Sequence, residues 1–453
     1  MPDKIYPQAI NGLYRNIKNK AAILLLALFF AAPWIRWARL HDGLDQGIMI
    51  DLANRKIYLF SIIIWPQEMY YITAILITAA VGLFFFTSLF GRLWCGYTCP
   101  HTVFVDLFRK VEFWFQGDRN ARIKLDLSPY HAEKILKKLA THVCWILISF
   151  SFALGVISYF NDVPNLINSI IRFNLSSNVA LWLLMLTCST YLFAGFARER
   201  VCLYMCPYGR FQSVMVDNNT FTVMYNAWRG EPRKGGIISE TEGDCINCNK
   251  CFLVCPMGID IRNGMQMGCI GCGLCVDACN SVMDVIGKPR DLISYNNVTN
   301  FKKKVSKIVN PFSIISVKTI IFGAALMISS FSILYMLINK SDVEVSVTRA
   351  DGPLVTRTFD GRLRNAYTLL ILNKKQDPES FSVSIDGLSN PELKLQGQKE
   401  LIIRLDSEEE KSQKLFVEVD DKSFPSGDIP FYIVLENQDS NEKRRIKMSF
   451  IIR

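Results

Sequence analysis

Two short runs of cysteine constrain this chain more than any other feature. Eight of its fourteen cysteines stand between positions 245 and 279 as two copies of one spacing. The first copy is Cys245, Cys248, Cys251 and Cys255, followed by Pro256; the second is Cys269, Cys272, Cys275 and Cys279. CxxCxxCxxxC is the bacterial-type iron–sulfur spacing, in which three close thiolates and a fourth from the other run hold one cubane. One cluster is therefore expected on Cys245, Cys248, Cys251 and Cys279, and the other on Cys269, Cys272, Cys275 and Cys255. Structural zinc is the plainer use of cysteine, but zinc takes four ligands rather than two interleaved runs of this kind.

The stretch thus reads as a two-cluster, bacterial-type ferredoxin domain, holding two 4Fe–4S clusters. Asn280 stands where the second run would carry proline. That proline shapes the backbone and is not a ligand, so cluster assembly is still expected.

Half of the 453 residues are hydrophobic, which points to a membrane protein with soluble parts. Five stretches approach the ~20 apolar residues a bilayer span needs: 21–37, 69–90, 143–160, 179–196 and 319–338. The first is short, broken by Pro33 and closed by Arg36, and its basic front also fits a signal peptide; a retained span is the favoured reading. The net charge of +10 does not point to nucleic acid, because the basic residues crowd particular loops. Segment 91–142 carries Arg92, Arg109, Lys110, Arg119, Arg122, Lys124, Lys134, Lys137 and Lys138, whereas 161–178 carries only Arg172. The positive-inside rule then places the amino end and the ferredoxin domain in the cytoplasm and everything after 339 outside. Lys302–Lys307 reads as a contact with anionic lipid or as a solvated linker. No cysteine follows Cys279, in keeping with ligand or redox thiols in a reducing compartment.

From residue 342 the pattern alternates: Val343, Val345, Val347; Phe381, Val383, Ile385; Leu415, Val417, Val419. Period two argues half-buried strands, and Asp351-Gly352-Pro353, Asp386-Gly387 and Ser426-Gly427-Asp428 punctuate them as turns. About seven strands in roughly 110 residues suit an immunoglobulin-like sandwich, here without a disulfide. No catalytic constellation occurs in it, so partner docking is its expected role. The expected layout is a membrane domain with four spans (1–240), the ferredoxin domain (241–290), a basic linker with the fifth span (291–340) and an exported sandwich (341–453).

A second kind of cysteine pair follows spans two and four. Cys95 and Cys99 precede Pro100, and Cys202 and Cys206 precede Pro207. Both are CxxxCP, and both lead into Val-Asp, at 105–106 and 216–217. If helical, each pair would present two sulfurs on one face, and the proline would end or kink that turn. Four such thiols suit a soft metal such as Cu(I), dithiol–disulfide cycling or plain packing; Arg92 and Arg200 are expected to favour thiolate. Cys144 and Cys188 read as packing residues, His101 as a solvated loop histidine, and Met205, Met215 and Met224 as core or interface residues. Four histidines, only His142 of them near a span, argue against a cytochrome b core. There is no GxGxxG or P-loop and hence no basis for nucleotide or flavin binding.

In this order of parts the chain resembles the CcoG (also FixG or RdxA) family, accessory proteins of cbb3-type cytochrome c oxidase. The paired CxxxCP sites, the double CxxCxxCxxxC domain, a last span and an exported β-domain carry the resemblance over nearly the whole length. It implies reduction of Cu(II) to Cu(I) for the oxidase, with Cys95, Cys99, Cys202 and Cys206 as the copper-handling or redox thiols and copper bound only transiently. It also implies a bacterial inner-membrane location, the oxidase subunits or a copper chaperone as partners, and a soluble cytoplasmic electron donor. The membrane pairs alone are similar to those of quinol-dehydrogenase polyferredoxins of the NapH and NosR type. Two alternatives therefore stand beside cupric reduction: a quinol-linked subunit feeding a periplasmic reductase, and a non-enzymatic redox-sensing assembly scaffold. A homodimer is compatible with the residues but not demanded by them.

Overall fold

The computed structural model describes residues 4–38, 45–53, 55–233, 243–305, 315–339, 343–374, 377–388, 390–397, 400–407, 409–420, 427–438 and 443–452. His41, Ser426 and Lys307 lie outside them. The chain divides into two compact units, one reaching Leu334 and the other formed mainly by Tyr335–Arg453.

Five helices of the described residues are long and apolar enough to cross a membrane: Leu13–Trp34, Pro66–Phe90, Ala132–Ile157, Ser177–Ala197 and Val317–Ile338. The first unit is built on α1 (Leu13–Ala31), α2 (Met69–Phe90), α3 (Pro100–Gln116), α4 (Ala132–Ile157), α5 (Ser177–Leu192), α6 (Pro207–Met215) and α7 (Leu274–Val285), and α8 (Val317–Ile338) closes it. Helices α1 and α4 begin about a turn or more before the apolar stretches at 21 and 143. Hydropathy marks where a helix is apolar; it does not mark where the helix starts. The basic turn of α1 is accommodated because Arg15 and Lys18 both reach Asp106 on α3, each at 3.0 Å. Pro33 limits α1 by its missing donor, and the chain tightens into a 3₁₀ turn at Ala32–Trp34.

Between α1 and α2 lies an antiparallel sheet that the hydropathy did not reveal: β1 (Ile48–Asp51), β2 (Lys56–Leu59) and β3 (Ile62–Ile64). Two further strands, β4 (Thr222–Tyr225) and β5 (Ile293–Asn296), pair antiparallel around the cysteine-rich stretch. Both strands lie outside 241–290, one on each side of it. Asn280, in the place of the second proline, accepts a hydrogen bond from the Asp291 backbone N–H at 2.9 Å and ties α7 to the approach to β5.

From Val343 on, the regular elements among the described residues of the second unit are all strands. β6 (Val343–Arg349), β7 (Thr356–Arg357), β8 (Leu363–Asn373), β10 (Glu392–Leu395) and β12 (Glu410–Val419) form one sheet, ordered β10-β12-β8-β6 with β7 on β8. β9 (Glu379–Asp386), β11 (Ile402–Leu405), β13 (Gly427–Asn437) and β14 (Lys443–Ile452) form the other, ordered β11-β9-β13-β14. Tyr367, Leu369, Leu415, Val417, Phe431 and Phe450 fill the core between them. The three alternating runs all fall in strands, and the count exceeds seven because short edge strands carry too few residues to show a period. Asp428 belongs to β13 rather than to a turn.

Candidate redox centre

The double run supplies thiols in two groups. Burial pushes the Cys279 thiol up to about 12, and the next contributions come from Cys251, Cys245 and Cys248, the three thiols of the first run. Cys275 is pushed well up by burial and then by Cys272, Cys269, Cys255 and Cys251. Cys269, raised to about 12 by burial, is also influenced by Cys272 and Cys255. Cys279 thus feels the first three thiols of the first run most, and Cys255 feels Cys272. Backbone N–H groups of Met257, Gly258 and Ile259 point at Cys255, that of Gly271 at Cys269 (3.5 Å) and that of Ile293 at Cys279. Such donors favour thiolate. A cavity lined by Cys251, Cys255, Cys269, Cys272 and Cys275 lies among them, and among the described residues no three side chains of His, Cys, Asp or Glu converge tightly enough for a single ion. Clustered thiols lining a cavity, with amide donors aimed at sulfur, fit the chemistry of iron–sulfur ligation.

The two CxxxCP pairs meet within one chain. Cys202 is raised to about 12 by burial and then by Cys99, Cys95 and Cys206, and Cys95 to about 11 by burial. Arg92 does lower Cys95 as expected, but desolvation outweighs it, because an ion loses more by leaving water than a partly solvated partner returns. Neither pair lies along one helix. Cys95 sits in a one-turn helix, Leu93–Tyr97, and Cys202 in a π-helical turn, Val201–Met205. Cys99 and Cys206 are extended residues that cap α3 and α6. Pro100 and Pro207 open those helices at a position whose N–H would be unpaired in any case, rather than ending one.

The pairs pack directly on the second cysteine group. Cys95 and Cys202 share one hydrophobic cluster with Cys255, Cys272 and Ile270. The Tyr97 hydroxyl, inside the first pair, donates to the Cys272 carbonyl at 3.0 Å, and Tyr295 donates to the Gly271 carbonyl at 2.6 Å. Arg92 donates to the Met267 carbonyl. A Cβ on Gly96 would stand 2.7 Å from the Ile270 carbonyl oxygen, so only glycine permits this approach.

Gln212, on α6, was not singled out by its sequence context. Its Oε1 accepts from Arg92 Nε at 2.9 Å and from Cys95 Sγ at 3.3 Å. Only the fold, which sets α6 beside the first pair, could have found it. His101 lies on α3 rather than in a loop: its Nε2 is within hydrogen-bonding distance, 2.9 Å, of the Arg198 carbonyl, and it lines one cavity with Cys202. Cys144 packs in the core formed by Phe104, Phe108 and Trp145, but Cys188 is exposed on α5, so its packing role is corrected. Met205 is likewise exposed.

Residues 197–298 match a family described as a 4Fe-4S dicluster domain, 72–122 one described as a 4Fe-4S binding domain, and 333–453 one described as the Ig-like fold at the C-terminus of FixG. The nitrogen fixation protein FixG of Rhizobium meliloti is 35% identical over 483 residues, covering 99% of this chain and 92% of its own. This chain belongs to the FixG/RdxA family. RdxA of Cereibacter sphaeroides is 40% identical over 397 residues, covering 87% of this chain and 84% of its own. A crystal structure of a FixG-related protein from Vibrio parahaemolyticus covers 25% of this chain and 99% of its own, at 19% identity and a TM-score of 0.23. This FixG-family chain is accordingly a membrane-associated iron–sulfur electron-transfer protein with an Ig-like C-terminal domain.

Proposed function

We propose that this protein reduces Cu(II) to Cu(I) at its paired CxxxCP thiols, in the service of cbb3-type oxidase assembly. The observation that carries the proposal is the packing of both pairs against the second cysteine group, through Tyr97 and Cys272 and the Gly96 approach. Iron–sulfur clusters held by Cys245, Cys248, Cys251, Cys279 and by Cys269, Cys272, Cys275, Cys255 would supply single electrons.

The chain's own residues do the rest. Cys95, Cys99, Cys202 and Cys206 take Cu(II) as substrate, each coordinating thiol losing its proton as it binds. Clusters held by the double run would supply one electron for each Cu(II), leaving Cu(I), which thiolates prefer. Gln212 holds Arg92 and Cys95 together. In this reading the cysteine-rich face is cytoplasmic, the membrane is the bacterial inner membrane, the donor is a soluble cytoplasmic protein, and the Ig-like domain docks an exported partner such as an oxidase subunit or copper chaperone.

Replacing Cys95, Cys99, Cys202 and Cys206 with serine tests it. The variant is expected to keep its iron and its visible spectrum and to lose cupric reduction; undiminished reduction would remove the pairs from the mechanism.

One observation favours a second reading. The 4Fe-4S binding match at 72–122 contains Cys95 and Cys99 but none of the eight cysteines of the double run. The four membrane-face thiols would then hold a third cluster. Iron analysis separates the two: about eight irons per chain for two cubanes, about twelve for three.

A further inference from the structure

A second site lies apart from the cysteines. A cavity of about 220 Å³ opens between the ends of α4 and α5, lined by Lys4, Lys138, His142, Phe196, Arg198 and Arg200 among others. Its level along both helices is informative. Beyond His142, α4 turns apolar, with Val143, Ile146 and Leu147 exposed. On α5 and the π-helical turn after it, Leu192, Phe193 and Phe196 are exposed, and the charged Arg198-Glu199-Arg200 follows directly. The cavity thus sits where two adjacent apolar helices leave their hydrophobic stretches, the depth of the headgroups in a bilayer.

Its lining carries four cations, Lys4, Lys138, Arg198 and Arg200, against two carboxylates, Glu112 and Glu199. Asp126 is shared by Lys4 at 2.8 Å and Lys138 at 2.5 Å. Glu112 is shared by Arg198 at 2.6 Å and Arg122 at 3.0 Å. Each carboxylate fixes two cations in place and cancels only one, so each trio keeps one net positive charge. Arg198 and Glu112 are both almost wholly buried, which makes the floor of the cavity rigid. A preorganised cationic pocket between membrane helices, continuous with an exposed apolar surface, suits one ligand class: a phosphate carrying acyl chains.

We propose that this cavity binds the headgroup of an anionic phospholipid such as phosphatidylglycerol, whose acyl chains lie along the exposed faces of α4 and α5. Inorganic phosphate offers the same charge without the apolar contact, so the two sources are separable.

The full-length protein in detergent is titrated with short-chain phosphatidylglycerol, phosphatidylcholine and inorganic phosphate, with retained lipid read by native mass spectrometry and stability by thermal unfolding. Phosphatidylglycerol is expected to stay bound and raise the unfolding temperature, and the zwitterionic lipid to do neither. The double variant Lys4→Gln/Lys138→Gln is expected to weaken retention about tenfold or more with the iron–sulfur absorption unchanged. Lys138 also donates to Gln116, so Lys138→Arg, which keeps the charge, is the companion variant and is expected to retain the lipid. Equal binding of both lipids, undiminished retention in the double variant, or the whole stabilisation reproduced by phosphate alone would overturn the proposal.

Discussion

The Tyr97 hydroxyl donates to the Cys272 carbonyl oxygen across 3.0 Å, joining the middle of one CxxxCP pair to a cysteine of the double run. This bond, with the Tyr295 hydroxyl 3.3 Å from that of Tyr97, brings two chemically different sets of thiols into one buried layer. Tyr97→Phe keeps the ring and removes the bond. The expected cost is about 1 kcal/mol of stability, with iron content unchanged and reoxidation of the reduced protein by Cu(II) slowed. Stopped-flow absorbance checks the rate, and an unaltered rate would confine Tyr97 to packing.

Gly96→Ala is expected to be far more damaging than its size suggests. The new Cβ would meet the Ile270 carbonyl oxygen at 2.7 Å and Cys272 Cα at 3.1 Å. Both are backbone atoms, which cannot swing aside as a flexible side chain can. The loop Cys269–Cys275 must shift, so cupric reduction is expected to fall together with part of the visible absorption. Iron analysis and activity on the same preparation measure both.

Asp277 of α7 accepts the backbone N–H groups of Tyr14 and Arg15, at 3.2 and 2.9 Å, and so caps α1 from another part of the chain. Asp277→Ala is expected to cost about 1–2 kcal/mol, as loss of a helix cap does, and to expose the segment before Leu13 to proteolysis. Asp277→Asn keeps an accepting oxygen and is expected to lose much less. Limited proteolysis of the two variants side by side checks the difference.

Acid is expected to loosen the base of the membrane unit through Glu112. Burial works to raise this carboxyl, but Arg198 and then Lys4 and Arg122 hold it below the ordinary range. A carboxyl lowered in the folded state stabilises fully above its unfolded value of about 4.3, and this contribution is lost as the pH falls through the lower, folded value. Glu112→Gln should remove that acid limb and leave Arg198 and Arg122 buried without their counter-charge, at a cost of about 3–5 kcal/mol. Thermal unfolding from neutral pH down through the carboxylate range measures both effects.

Spacing and hydropathy are local signals, and what they encode was legible. The eight-cysteine run, the five apolar stretches and the alternation at Val343–Val347 could each be read from a short window. What escaped depends on residues far apart. Asp277 and Tyr14 are 263 positions apart, and Gln212 reaches Cys95 across 117. β4 and β5, with four residues each, are too short to declare a period and are strands because they pair. The upward shift of the Cys95 thiol escaped for a related reason. Arg92 is three residues away in sequence, but Cys95 is buried in a cluster with Ile270, Cys272 and Leu274, which only the fold brings near.

Anaerobic addition of Cu(II) to the reduced protein tests most directly whether electrons pass from the double run to the CxxxCP thiols. Visible absorbance reports the iron–sulfur oxidation state, and a Cu(I) chelator added after quenching reports the product. The expected result is one Cu(I) for each electron lost, with both signals abolished in step when Cys95, Cys99, Cys202 and Cys206 are serine. Reoxidation that persists in that variant, or a reduced protein that Cu(II) leaves untouched, would contradict it.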